Sequence, residues 1–92
     1  MAKKDQFIKL DLTLIRRYGV AEIALVRFLF GKSRVLKKDS QGFFGCEIAY
    51  IARELRMSRP TVRGLCRSAA EHHLIYYEPG KNQNRKPRFK IF

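Results

Sequence analysis

The segment Ser58-Arg59-Pro60-Thr61-Val62-Arg63, continued by Arg67 and Ser68, gathers the side chains of this chain best suited to an anionic partner. Arginine grips a phosphate by charge, or a guanine edge with two parallel hydrogen bonds. Serine and threonine hydroxyls at a helix start suit phosphate oxygens, and the helix dipole adds partial positive charge there. A second cluster holds Lys81, Arg85, Lys86 and Arg88, with Asn82, Gln83 and Asn84 among them. A hairpin tip of this composition reaches backbone phosphates or a minor groove, and an ordinary solvated loop is the alternative. Bond-making chemistry finds no support. The carboxylates are scattered, no glycine-rich phosphate loop occurs, and no nucleophile has a base at a recognisable spacing. Cys46, Cys66, His72 and His73 lack the paired spacing of a zinc site, so neither metal nor cofactor is expected. His72-His73 falls at a helix end, where imidazoles suit the dipole, and reads as structural.

The balance of charge agrees with these clusters. The chain has 92 residues and a formal net charge of +12, more than solubility requires. The excess is spread evenly, with half of it in residues 1–58 and half in residues 59–92. Such a charge favours nucleic acid over small acidic ligands. The length suits one small domain, and an apolar fraction of 46% suffices for one core. No apolar run approaches the ~20 residues that cross a bilayer, and the longest, Ile23 to Phe30, is interrupted by Arg27. Lys3 and Lys4 are not followed by an uninterrupted apolar stretch, so no signal peptide is expected. The cytosol of a bacterium, or a phage or plasmid setting, is the expected address. There, Cys46 and Cys66 are expected as buried apolar groups, not as a disulfide.

The elements that must hold the clusters follow from periodicity. Met1 to Gln6 is polar and expected to fray. Phe7 to Leu10 is a short strand or an extended lead-in. Asp11 caps a short helix that ends near Gly19, a residue suited to a left-handed stop. Val20 to about Leu36 is a helix apolar on most sides, with Gly31 as a kink or end. Either the rest of the domain wraps it, or part of it packs on a second copy or another protein. The cations Lys32, Arg34, Lys37 and Lys38 that follow either extend a positive track or solvate the helix end. Phe43 to Cys46 is a short strand. Glu47 begins a helix with Ile48, Ile51, Ala52 and Leu55 inward and Tyr50, Arg53 and Glu54 outward. Arg56-Met57-Ser58 is a turn. Ser58 caps the next helix, Arg59 to His72, with Pro60 in its first turn and Val62, Leu65, Cys66 and Ala69 as its core stripe. Thr61, Arg63, Gly64, Arg67 and Ser68 lie opposite. Gly64 costs ~1 kcal/mol against alanine there, and either admits a close backbone approach or is an idle surface glycine. Leu74 to Glu78 and Arg88 to Ile91 are strands joined by the basic loop. Tyr76 and Tyr77 point to opposite faces, one into the core and the other free to stack on an unpaired base.

Together, Phe43-Phe44, the helix Glu47–Leu55, Ser58-Arg59-Pro60-Thr61-Val62 and the strand opening Leu74-Ile75 resemble the winged helix-turn-helix DNA-binding modules of bacterial, plasmid and phage regulators and replication-associated proteins. The resemblance departs at Arg56 and His73, where that family usually places glycine. The departure at Arg56 suggests one of the looser winged-helix turns. The resemblance implies one α+β domain over 1–92, with about four helices and a small three-stranded antiparallel sheet. Its helix-turn-helix spans 47–73 and its wing 74–92. It further implies that the helix from Arg59 enters a major groove, with Thr61, Arg63, Arg67 and Ser68 facing the groove and Arg59 flanking phosphates. With the cap Ser58 and the wing residues Lys81, Asn84, Arg85, Lys86 and Arg88, these make the expected nucleic-acid site. Duplex DNA is the favoured partner, with single strands or RNA as alternatives. The role is either transcriptional control or replication of a mobile element, without catalysis. The alternative role is a single-stranded DNA-binding or protein-docking accessory module of a replication complex.

Overall fold

The structure is a computed structural model that describes residues 12–80 and 86–91. The expected frayed start, the lead-in Phe7 to Leu10, the Asp11 cap and the wing-tip residues Lys81, Asn84 and Arg85 lie outside the described residues. Helix α1 covers residues 12–18 and stops at Gly19. At φ 94° this residue adopts a backbone that side-chain-bearing residues avoid. Its N–H donates to the Ile15 carbonyl at 2.7 Å, and its own carbonyl accepts from Ile23 N–H at 3.2 Å. One glycine thus ends α1 and opens α2, Val20–Val35.

Helix α2 runs through Gly31 unbroken and ends one residue before the expected limit, with Leu36 as its cap. Its apolar side chains are mostly used inside the domain. Ile23, Leu25 and Leu29 are buried, and Val26 and Phe28 pack against the core. Val20 and Val35, at the two ends, remain 67% and 75% exposed. The loop that follows is organised by Asp39. Its carboxylate accepts from the N–H groups of Gln41 at 2.8 Å and Phe43 at 3.0 Å. The chain is thereby turned into β1, Phe44–Gly45.

Helices α3, Ile48–Leu55, and α4, Arg59–Glu71, follow as the periodicity predicts. Ile48, Ile51 and Ala52 bury one face of α3 against Val62, Cys66 and Ala69 of α4. Tyr50 is only half exposed, in contrast to its expected outward position. Its ring lies 6.0 Å from Phe28 of α2. Ser58 caps α4 as expected, accepting from Thr61 N–H at 3.2 Å. Strands β2, Ile75–Glu78, and β3, Arg88–Ile91, complete an antiparallel sheet ordered β1-β3-β2. The strand at Phe44 therefore pairs with β3 alone, and not with both wing strands. Phe89, in the central strand, faces Phe44 on one side and Tyr77 on the other. Both cysteines are buried and unbridged, and burial pushes the Cys66 thiol up to about 12.

The turn between α3 and α4 is tighter than the sequence suggested. Arg56 adopts the left-handed backbone at φ 55°, ψ 48°, and Met57 N–H closes back on the Ala52 carbonyl at 2.9 Å. Helix α4 ends the same way. His73 has φ 60°, and Leu74 N–H reaches the Ala69 carbonyl at 2.9 Å. Both helices thus stop in the hydrogen-bonded geometry that normally recruits glycine, with a bulky residue tolerating it. Exchanging either residue for glycine relieves that strain and also loosens the unfolded chain. Arg56→Gly and His73→Gly should each raise unfolding free energy by about 0.5–1 kcal/mol, as read from urea midpoints. A lowered midpoint in both would contradict this account.

Candidate nucleic-acid interface

Helix α4 has two sharply different sides. Val62, Cys66 and Ala69 are fully buried, whereas Arg59, Thr61, Arg63, Gly64 and Arg67 are exposed. Arg63 and Arg67 stand four residues apart, about 40° from one another around the axis. No hydrogen bond or ion pair holds either of them among the described residues. Both lie close enough to the Tyr77 hydroxyl to favour its ionised form, although burial dominates and raises the phenol above its ordinary range. The two arginines therefore share one exposed side of α4. A Cβ built on Gly64, between them, would meet nothing within 4 Å, so the backbone there is open to approach.

Other predicted site residues are placed differently. Ser68 does not share the exposed side of Arg63 and Arg67. Its hydroxyl donates to Glu22 of α2, because residue 68 falls about 100° past residue 67, toward the flank that packs on α2. Thr61 is exposed but takes part in the cap, its hydroxyl accepting from Ser58 Oγ at 2.7 Å. Arg88 is not a free cation of the wing. Its guanidinium donates to Asp39 at 2.9 Å and to Glu78 at 2.7 Å, and lies 5.0 Å above the Phe43 ring. These contacts clasp the wing base to the loop before β1. Lys86 is exposed beside Gly45 and lines an open groove of about 820 Å³ with Lys37, Lys38 and Phe43. Lys32 instead lies over the rings of Tyr50 at 5.0 Å and Phe28 at 5.5 Å. Tyr77 stacks on Phe89 at 5.4 Å, while Tyr76 is exposed between Phe43 and Lys90.

Sequence reasoning missed Glu22. This carboxylate is 3% exposed. It accepts from Ser68 through one oxygen and from His72 Nδ1–H at 2.7 Å through the other. The Tyr18 ring lies 4.7 Å from the His72 ring. The available signal was a lone acid in the first turn of a mostly apolar helix. Among the described residues no group of histidines, cysteines and carboxylates could hold a metal ion, and no helix is long and apolar enough to cross a membrane.

The Asp39 clasp carries a pH dependence. The Phe43 backbone N–H, then that of Gln41 and the Arg88 charge, hold the Asp39 carboxyl below the ordinary 3.8. A carboxyl depressed by folding stabilises the fold above its unfolded pKa, and that contribution fades as pH falls through its folded value. Urea midpoints taken from pH 5 downward should therefore fall less steeply in Asp39→Asn than in the parent chain, with the difference developing below about pH 4. Parallel profiles would remove Asp39 from the acid response.

No family model and no curated protein matches this chain. Among solved structures, a mutant of MepR from S. aureus superposes with a TM-score of 0.59 at 19% identity, covering 100% of this chain. A MarR family regulator from Neisseria meningitidis, NMB1585, matches with a TM-score of 0.49 at 15% identity over 99% of this chain. This chain spans 61% and 58% of the length of those two chains. The likeness to MepR shows a winged-helix fold, as the order of helices and the three-stranded sheet also do.

Proposed function

We propose that this chain is a non-enzymatic DNA-binding protein that takes duplex DNA through α4 and the wing, in transcriptional control or in replication of a mobile element. The observation that supports it best is the pair Arg63 and Arg67. Both are exposed, unpaired among the described residues, and directed to one side of the second helix of a winged helix-turn-helix. Phosphate neutralisation supplies most of the affinity, and these arginines supply whatever selectivity exists. Ser58 and Thr61 present the start of α4 to the backbone, with Arg59 flanking it. Lys86 contributes from the wing base, together with Lys81, Asn84 and Arg85 beyond it. Ser68 and Arg88 belong to the scaffold in this reading.

A second copy or a protein partner docking on α2 would meet Val20 and Val35 at its exposed ends, since Ile23, Leu25, Val26, Phe28 and Leu29 are used by the core. Light scattering tests that part of the reading.

Fluorescence anisotropy with duplex, single-stranded and RNA probes tests the main reading. For duplex, log K should fall with log salt at a slope of about −4 to −7, from ~5–8 neutralised phosphates. Arg63→Ala with Arg67→Ala should cost at least tenfold in duplex affinity and make the slope shallower by about 2. Unchanged affinity in that variant rejects the assignment of α4. Tighter binding to single strands than to duplex transfers the role to the wing and Tyr76.

A further inference from the structure

We infer that Glu22 is a positioning residue for the arginine face: from the body of the domain it fixes the rotation of α4 about its own axis, and so the direction of Arg63 and Arg67. The inference rests on the duplex-binding reading above and names the element that sets its geometry.

The core face of α4 is apolar, and apolar contact is non-directional. Val62, Cys66 and Ala69 keep α4 against the domain but constrain its roll only through side-chain shape. Glu22 adds two directional bonds. Ser68 and His72 stand one turn apart on a single flank of α4, and each engages a different oxygen of the same carboxylate. That flank lies about 100° to 140° around the axis from Arg67. With guanidinium groups ~6 Å or more from the axis, a 10° roll displaces them by ~1 Å, enough to break a charge-assisted hydrogen bond to a phosphate. Stability alone does not call for a carboxylate here. Burying one is costly, and a buried polar set replaced as a whole by apolar side chains of similar volume is often as stable or more so. Leucine would fill the same space without directing the helix.

That contrast supplies the experiment. Glu22→Leu removes both bonds and keeps the volume, whereas Glu22→Gln keeps an acceptor on the same stem. Residual dipolar couplings of backbone amides report the orientation of α4 relative to α3 and the sheet with no DNA present. In Glu22→Leu the couplings of residues 59–71 should no longer fit the parent orientation, while a cooperative melting transition is kept. Its affinity for a mixed-sequence duplex should fall about 3- to 10-fold, with a salt slope shallower by about 1, as one arginine leaves its phosphate. Glu22→Gln should stay within about twofold of the parent in affinity and keep its couplings. If Glu22→Leu does not fold, Ser68→Ala with His72→Phe removes the same bonds from the α4 side and carries the same expectations. Parent-like couplings in a folded variant lacking both bonds overturn the inference, and so does parent-like duplex affinity in that variant when the parent chain itself binds duplex. A parent chain that fails to bind duplex overturns the reading in the preceding section, and the couplings alone then decide whether Glu22 sets the roll of α4.

Discussion

Helix α4 has to satisfy two opposite demands, and the rest of the domain is arranged around them. One side must be dry enough to bury Val62, Cys66 and Ala69 completely, and the other must carry guanidinium groups into water. A chain this short has little material with which to cover the dry side. It uses α2, α3 and β2, all of which contact α4. The small side chains at 66 and 69 let those neighbours close in, so that the core reaches from Leu25 and Leu29 to Ile75 and Phe89 without a second layer. The apolar character of α2 is explained by the same demand, since a central helix touched on several sides has few polar positions to spare.

The cations divide by what they touch. Arg88 is saturated by two carboxylates, and Lys32 and Arg34 lie over aromatic rings. Their charge is used to join elements, while their stems cover apolar surface. Arg63 and Arg67 have no such engagement among the described residues. Net charge therefore overstates the area offered to a polyanion, and the distribution of partners locates it better.

Much of this was legible in the sequence, for physical reasons that differ by element. Helices α3 and α4 announce themselves because one face of each is continuously apolar and Ser58 with Pro60 marks a start. The wing strands are legible from alternation around a polar loop. What was not legible depended on long-range geometry. Ser68 looks like a surface hydroxyl until α2 brings Glu22 against it from 46 residues away. Arg88 looks like a wing cation until the register sets it opposite Glu78 and the loop turn delivers Asp39. Arg56 and His73 were misleading in another way. Residue type argued against left-handed backbone, and the helix-stop hydrogen bonds outweighed that preference.

The sheet order has a consequence for how the molecule comes into being. The middle position belongs to the last of the three described strands in chain order, and its two neighbours do not bond to each other. While the ribosome is still extending the chain, β1 and β2 have polar edges without a shared seam, and Phe44 has no Phe89 to lie against. Residues 88–91 act as a keystone. Until they emerge, the helices can gather but the arch stays open, and a transcript cut short of them would yield a protein with two loose strand edges exposed to its neighbours.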